Sequence, residues 1–259
     1  MKKLPEILQK IINTKQKEII EINNKFEGYK RRAFELPKGK NFKKALLNNA
    51  IIAEVKKASP SAGIICEDFK PVQIALDYEK SKADAISVLT DKVYFKGDIS
   101  YLIEIKKSVD IPVLRKDFII SEIQIYESKI AKADSFLLIA RILTESQLNE
   151  YVLIARSLNI EPLVEIHDME DLEKALSADA SIIGINNRDL NNFTVNADNT
   201  FTLKEYIPEE KIIVGESGIN SVSSARKLLS DGCNALLIGE FLMRSQDKSF
   251  LIKEIKKNN

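Results

Sequence analysis

Eight short apolar runs, separated by longer amphipathic stretches, constrain the fold of this chain more than any other feature. The runs are residues 51–55, 85–89, 111–114, 135–139, 162–166, 181–185, 211–214 and 235–238. Runs this apolar are typical of strands buried on both faces of a parallel sheet. The stretches between them are long enough for crossover helices, so the sequence predicts a parallel α/β fold.

A repeat before every second run distinguishes a closed barrel from an open sheet. Ala83-Asp84, Ala133-Asp134, Ala178-Asp179 and Cys233-Asn234 each stand just before an even-numbered run. A two-strand period repeated four times fits an eightfold barrel, and 259 residues match its usual size of about 250. The alternative is an open doubly wound sheet, but no Gly-x-Gly-x-x-Gly turn follows the first run. We therefore predict a (β/α)8 TIM barrel over residues 50–259, within a single domain that spans residues 1–259.

Residues 1–49 form a predicted helical extension before the barrel. Apolar residues recur at helical spacing through residues 4–12 and continue less regularly to Phe26. Gly28 and the Pro37-Lys38-Gly39 stretch are expected to break the helical pattern. An amphipathic arm that packs on the barrel is favoured over a partner-binding helix.

The composition excludes several classes of protein. A formal net charge of +1 is not typical of a nucleic-acid binder. The chain has no secretory leader pattern and no apolar run long enough for a membrane helix. Two cysteines and one histidine cannot form a zinc-finger-type site, and they favour a cytoplasmic protein with free thiols. No large apolar stripe is left over once eight helices cover eight strands, so we expect a monomer.

Polar residues stand where the predicted strands end, which is where barrels of this type carry their catalytic groups. The candidates are Glu54, Lys56, Lys116, Glu165, Asn186 and Glu216. Any one of them alone could be a solvated surface charge. Together they would place charges of both signs around one rim, and such a ring can hold a protonated lysine as acid beside an ionised glutamate as base.

Glycines after the last two strands suggest an anion site. Gly218 and Gly239 stand where backbone N–H groups can approach a phosphate. Glu240 is expected to contribute its backbone N–H while its carboxylate turns away. For His167, the only histidine, a structural or surface role is favoured over a catalytic one.

These strand-end segments together resemble the indole-3-glycerol phosphate synthase family of tryptophan biosynthesis. The matching segments are residues 51–61, 88–91, 94–97, 114–119, 162–167, 184–190, 215–219 and 237–243. The most specific of them is the Glu-x-Lys-x-x-Ser-Pro-Ser stretch that begins at Glu54. The family also carries a helical segment before its first strand.

The resemblance implies a carbon-carbon lyase that needs no cofactor and no metal. Its substrate would be 1-(2-carboxyphenylamino)-1-deoxyribulose 5-phosphate, closed to indole-3-glycerol phosphate with loss of carbon dioxide and water. By motif match, Lys116 would be the general acid for ring closure and Glu165 would serve the later proton transfers. Lys56 would lie between the substrate carboxylate and phosphate, and Glu54, Asn186 and Glu216 would hold the charged network.

The resemblance also implies binding residues. The substrate-binding set would be Ser59, Pro60, Phe95, Phe118, Leu137, Arg188 and Leu190, with Arg188 holding the anthranilate carboxylate. The phosphate-binding set would be Lys56, Ser59, Ser217, Gly218, Gly239 and the Glu240 backbone.

Two alternatives to the lyase stay open, a Schiff-base aldolase that uses Lys116 and a non-catalytic barrel that binds a sugar phosphate. The lyase chemistry would be helped if a nearby cation lowered the pKa of Lys116. Arg115 and Lys56 are the candidate cations, although Arg115 should point to the opposite side of its strand.

Overall fold

A closed parallel barrel forms the centre of the computed structural model, which describes residues 4–189, 194–195 and 198–257. Within those residues the barrel has eight strands: β1 (Ala50–Val55), β2 (Ala85–Leu89), β3 (Val113–Lys116), β4 (Ser135–Ile139), β5 (Leu163–Ile166), β6 (Ile182–Asn186), β7 (Ile212–Glu216) and β8 (Ala235–Ile238). β1 pairs in parallel with both β2 and β8, which closes the barrel. The predicted TIM barrel is confirmed, and the open-sheet alternative is wrong.

Helices follow the strands in alternation and cover the outside of the barrel. The helices are α1 (Glu6–Ile22), α2 (Phe26–Glu35), α3 (Phe42–Ala45), α4 (Pro71–Lys80), α5 (Ile99–Ser108), α6 (Glu122–Ile130), α7 (Glu145–Ser157), α8 (Met169–Ser177), α9 (Asp198–Lys204), α10 (Val222–Ser230), α11 (Glu240–Arg244) and α12 (Lys248–Lys256). Local side-chain and backbone chemistry explains where some of these helices begin. Pro71 opens α4, where its missing N–H costs nothing, and Thr144 with Gln147 forms a capping box at α7.

The repeated Asp or Asn before the even-numbered strands has a structural role. Asp84, Asp134 and Asn234 accept hydrogen bonds from backbone N–H groups near the starts of neighbouring strands, those of Ile51, Val113 and Ile213. These bonds satisfy strand-end donors that would otherwise be unpaired. Asp179 differs, because its carboxylate pairs with Arg156 and Lys211.

The helical extension packs against the barrel, and Leu8, Ile11 and Ile12 on α1 are buried. The helical path is interrupted by a 3₁₀ turn, Asn23–Lys25, and not at Gly28, so the predicted break at Gly28 is wrong. A helix-interior glycine costs only about 1 kcal/mol. Packing of α2 on α6, including an edge-to-face contact of Phe26 with Tyr126, offsets that cost.

Three strands extend further toward their carboxyl ends than the apolar runs predict. Lys116 ends β3, Asn186 ends β6 and Glu216 ends β7. A polar residue that follows an apolar run can still belong to the strand, because the last inward-facing side chain of a barrel strand lies in the mouth of the barrel. The main apolar core lies between the strands and the surrounding helices. None of the described helices is both long and apolar enough to cross a membrane.

Candidate active site

A cavity of about 520 Å³ opens at the carboxyl ends of the strands. It brings together sixteen of the seventeen residues predicted for the site from the sequence. They are Glu54, Lys56, Ser59, Pro60, Phe95, Lys116, Phe118, Leu137, Glu165, Asn186, Arg188, Glu216, Ser217, Gly218, Gly239 and Glu240. The seventeenth, Leu190, lies outside the described residues.

Lys116 lies between two buried carboxylates at the centre of this cavity. Its Nζ is 3.2 Å from Glu165 Oε2 and 3.1 Å from Glu216 Oε2. The three side chains come from β3, β5 and β7, so only closure of the barrel brings them into contact. Both glutamates are almost fully buried, and Lys116 keeps 15% of its side chain exposed.

Burial and neighbouring charges shift the pKa values of Lys116 and the two glutamates in different ways. Burial alone would lower the pKa of Lys116, but the carboxylates of Glu216, Glu165 and Glu54 outweigh it and raise that pKa above its ordinary value. The expectation that a nearby cation lowers the pKa of Lys116 is therefore wrong. Arg115 points away from the cavity, as predicted, and pairs with Asp117 and Glu127.

The two glutamates differ in their neighbours. Burial would raise the pKa of Glu165, but Lys116, His167 and a hydrogen bond with Asn186 lower it below the ordinary range. Burial and the Glu165 carboxylate raise the pKa of Glu216, and Lys116 offsets only part of that rise. Glu165 is thus the group that stays ionised beside the Lys116 ammonium.

A second ion pair lies at the ends of β1 and β8. Lys56 Nζ is 2.6 Å from Glu54 Oε1, so the two residues share one side of the mouth. Gly239 lies directly against this pair, and a Cβ at that position would overlap Glu54 Oε1 and come within 2.7 Å of Lys56 Nζ. The glycine therefore makes room for the ion pair.

The loop after β6 continues the polar side of the cavity. The Arg188 backbone N–H donates to Asn186 Oδ1 at 2.9 Å, which fixes the turn after the strand. The Arg188 side chain lines the cavity. Its planar guanidinium is suited to a carboxylate of the ligand.

Aromatic rings contribute an apolar surface to the cavity. The ring centroids of Phe95 and Phe118 are 6.0 Å apart, with an interplanar angle of 38°. Asp91 fixes the loop that carries Phe95, since its Oδ1 accepts the backbone N–H groups of Tyr94 and Phe95. Pro60 and Leu137 also line the cavity, so a flat apolar ring has a matching surface.

Backbone N–H groups and small side chains lie where β7 and β8 end. Ser217 and Gly218 both have positive φ values, 62° and 75°, and Gly218 approaches Val195 so closely that a Cβ would overlap it. Gly239 precedes α11, which begins at Glu240. The Glu240 carboxylate accepts a hydrogen bond from Arg244 at 2.8 Å.

Sequence reasoning missed two contributions to the site. Ile7, Leu8 and Ile11 of α1 line the cavity, although the apolar spacing predicted only that the arm packs on the barrel. Gly184 on β6 leaves space for Glu216, because a Cβ there would overlap Glu216 Oε1. A glycine within an apolar strand is the signal that could have indicated such a close approach.

Comparisons with known proteins identify relatives over nearly the whole chain. The family model described as indole-3-glycerol phosphate synthase matches residues 8–255. An indole-3-glycerol phosphate synthase of Desulfotalea psychrophila is 42% identical, covering 97% of this chain and 99% of the relative. One from Thermoanaerobacter pseudethanolicus is 47% identical, covering 96% and 98%, and one from Aliarcobacter butzleri is 54% identical, covering 75% and 74%.

A solved structure supports the fold independently. The crystal structure of 3-hexulose-6-phosphate synthase from Salmonella typhimurium aligns with a TM-score of 0.66 at 12% identity. The alignment covers 80% of this chain and 96% of that structure. At this identity the likeness shows a shared fold alone.

Proposed function

The chain belongs to the indole-3-glycerol phosphate synthase family, and on that premise we propose how its residues divide the reaction. The enzyme is a carboxy-lyase of tryptophan biosynthesis that acts on a phosphorylated substrate. Ring closure joins the carboxylate-bearing aromatic carbon to the ketone carbon of the sugar chain. Carbon dioxide leaves next, and loss of water then gives the indole ring.

We propose that Lys116 is the general acid of ring closure. The observation that carries this role is the position of its ammonium group, 3.2 Å from Glu165 and 3.1 Å from Glu216 at the centre of the cavity. The raised pKa keeps Lys116 protonated at neutral pH, so it can donate a proton to the ketone oxygen as the new bond forms.

We propose that Glu165 serves the later proton transfers. Its pKa is lowered mainly by Lys116, working against burial, so it is ionised and can accept a proton during dehydration. Glu216 differs, because its raised pKa lets it hold a proton without adding a second negative charge beside Glu165. Glu54 holds Lys56 in place through their ion pair, and Asn186 holds Glu165 through a hydrogen bond.

The remaining lining residues support a substrate with an anionic group at each end and an aromatic ring between them. Phe95, Phe118, Pro60 and Leu137 would hold the ring, and Arg188 would hold its carboxylate. Moving that carboxylate toward an apolar wall favours its loss as carbon dioxide. Leu190, which the resemblance adds to this pocket, lies outside the described residues.

We propose that the phosphate binds where β7 and β8 end. Ser217, Gly218, Gly239 and the Glu240 backbone would supply neutral donors. Lys56 and Ser59 would complete the site from the β1 side. The Glu240 carboxylate is held by Arg244, which supports the expectation that it turns away from the anion.

One assay tests the proposed roles. The purified protein is incubated with the carboxyphenylamino-deoxyribulose phosphate, and indole fluorescence is followed against a low background, since the chain has no tryptophan. Lys116→Met and Glu165→Gln should each lower turnover by about 10² or more, as removal of an acid or base does. Near-wild-type turnover in either variant would refute the role of that residue.

The Schiff-base alternative requires Lys116 to act as a nucleophile and not as an acid. An aldolase of that type needs a neutral amine as nucleophile, and the carboxylates around Lys116 favour its protonated form. Borohydride added with substrate should therefore trap no covalent adduct. A trapped adduct at Lys116 would favour the aldolase.

We also propose that the protein is a cytoplasmic monomer. Cys66 and Cys233 are free thiols, as expected for a reducing compartment. The exposed large apolar side chains are spread over separate elements, for example Ile20 on α1, Leu153 on α7 and Phe250 on α12. Light scattering should give a mass near 29.3 kDa, and twice that mass would refute the monomer.

A further inference from the structure

His167 is a buried side chain for which the proposed reaction has no use. It follows β5, two residues after Glu165, and only 8% of it is exposed. Its ring lies behind Glu165, outside the set of described residues that line the cavity. It is the only histidine in the sequence.

Both ring nitrogens of His167 face carboxylates at close range. Nε2 is 3.4 Å from Glu165 Oε1, and Nδ1 is 3.6 Å from Asp171 Oδ2. Neither nitrogen has a well-aligned hydrogen bond with another described residue. Because a buried polar group without a partner is costly, the two facing carboxylates are the groups that can compensate the imidazole.

The far side of the ring is fixed by charged groups of α8 and the turn after β4. Asp171 Oδ2 accepts the His167 backbone N–H at 3.0 Å and lies 3.3 Å from Arg141 Nε. Arg141 also pairs with Asp168 at 2.8 Å. The Asn199 side chain donates to the His167 carbonyl oxygen at 3.2 Å, so the backbone is held as well.

The near side of the ring meets the carboxylate that carries the proposed chemistry. Glu165 presents Oε1 to His167 and Oε2 to Lys116, with the second contact at 3.2 Å. The orientation of the carboxylate plane is thus set from two sides. A continuous series of side chains runs from Arg141 through Asp171 and His167 to Glu165 and Lys116.

We propose that His167 is a positioning residue that holds Glu165 Oε1 through Nε2, so that Oε2 stays directed at Lys116. This inference rests on the proposed function of Glu165. His167 does not touch the substrate and acts only through the orientation and charge of that carboxylate. Loss of the contact should therefore lower kcat more than it changes KM.

Two substitutions separate this role from simple filling of space. Glutamine places its amide nitrogen where Nε2 of histidine lies, and asparagine places its amide nitrogen where Nδ1 lies. His167→Gln therefore keeps a donor toward Glu165, whereas His167→Asn keeps one only toward Asp171. Both variants retain a polar amide in the same buried position, so each is the matched control for the other.

The expected result is an ordered loss of turnover. His167→Asn should lower kcat by about tenfold, a small part of the 10² to 10⁴ that an acid or base contributes, and His167→Gln by less than about threefold. KM should change by less than about twofold in both. Equal values of kcat for the two variants, or wild-type kcat in His167→Asn, would overturn the proposal.

The pH profile is a readout that a space-filling role would not move. Glu165, Asp171 and Arg141, with Lys116 and Asp168 one contact further away, are the charged groups around the ring. His167 helps to lower the pKa of Glu165, so in His167→Asn the acid limb of the kcat profile should move to higher pH. An unmoved acid limb would contradict the proposed contact.

Nuclear magnetic resonance tests the contact between His167 and Glu165 independently of enzyme activity. In tag-free ¹⁵N-labelled protein the two ring signals belong to His167 alone. Glu165→Gln should shift the Nε2 signal, whereas Glu18→Gln, a change on α1 at a residue that pairs with Lys15, should leave it unchanged. If Glu165→Gln leaves both ring signals in place, the contact does not exist.

The proposed roles of Glu165 and His167 can be refuted separately. If Glu165→Gln keeps near-wild-type turnover, the proposed role of Glu165 is wrong, and the inference about His167 falls with it. If Glu165→Gln is inactive while the asparagine and glutamine variants have equal kcat, only the inference about His167 is wrong.

Discussion

Two lysines, the buried Lys15 and the partly exposed Lys116, each lie between carboxylates, but with different consequences. Lys15, on α1, lies 3.0 Å from Asp91 and 2.9 Å from Asp117. Lys116, on β3, lies at similar distances from two glutamates. In both cases burial opposes the charge but nearby carboxylates raise the pKa of the lysine.

The difference between the two clusters lies in their access to solvent. The Lys15 side chain is 2% exposed, and its partner Asp117 also pairs with Arg115 and accepts a hydrogen bond from Thr90. The Lys116 side chain is 15% exposed in the cavity. A cluster closed to solvent can hold two elements together, whereas one that opens into a cavity can exchange protons with a ligand.

The largest expected effect is the loss of turnover in Lys116→Met. Removing the proposed acid should lower kcat by about 10² or more, measured by indole fluorescence. The free energy of unfolding should change less than in Lys15→Met, because the cavity admits solvent and Glu216 can hold a proton. If Lys116→Met instead unfolds the protein and Lys15→Met does not, the comparison is wrong.

Lys15→Met should show the reverse pattern. The change leaves the buried carboxylates of Asp91 and Asp117 without their shared cation, so urea denaturation should show a loss of about 3–5 kcal/mol. Turnover at a temperature where the variant is folded should fall by less than about tenfold. A 10²-fold loss of turnover with unchanged stability would make Lys15 a part of the catalytic machinery.

Acid unfolding should test the structural role of the Lys15 cluster. Although burial opposes it, Arg115 and Lys15 lower the pKa of Asp117 from 3.8 to about 2. A carboxyl whose pKa is lower in the folded state stabilises the fold above its unfolded pKa, and that stability is lost as pH falls toward its folded pKa. About 2 kcal/mol should therefore be lost between about pH 4 and pH 2.

The control for this measurement is Lys15→Met, in which the pKa of Asp117 should rise. Its acid-unfolding midpoint, followed by circular dichroism, should move to higher pH. Identical midpoints in the two proteins would show that the Lys15 contact does not stabilise the Asp117 carboxylate.

The smallest effect is expected for Glu18→Gln. Glu18 also contacts Lys15, at 2.8 Å, but its side chain is 36% exposed. Partly solvated ion pairs contribute about 1 kcal/mol or less, so the free energy of unfolding should change by no more than that. A loss as large as in Lys15→Met would mean that the cluster depends on all three carboxylates.

Much of the fold was predictable from the sequence, because the signals involved are local. Each strand is marked by its own apolar run, and the Asp84, Asp134 and Asn234 repeat marks groups that satisfy neighbouring strand ends. The break expected at Gly28 was wrong because packing of α2 on α6 offsets a weak local preference.

The candidate site was predictable as a set of residues and not as an arrangement. The candidate site residues could be predicted because they stand at strand ends, and those that the structure describes line one cavity. The direction of the pKa shift of Lys116 was predicted with the wrong sign. Its neighbours in the sequence are Arg115 and Asp117, whereas its neighbours in space are the carboxylates of Glu165 and Glu216. The lining by α1 and the space left by Gly184 were also not predicted.

The eight strands, their parallel order and the types of side chain at the barrel mouth follow from the sequence alone. Strand periodicity and strand-end residues depend on neighbours within a few positions, so they can be recognised without coordinates. Which lysine lies in the cavity and which one holds the N-terminal helix depends on the tertiary structure. Charge interactions depend on distance in space and on access to water, and closure of the barrel sets both.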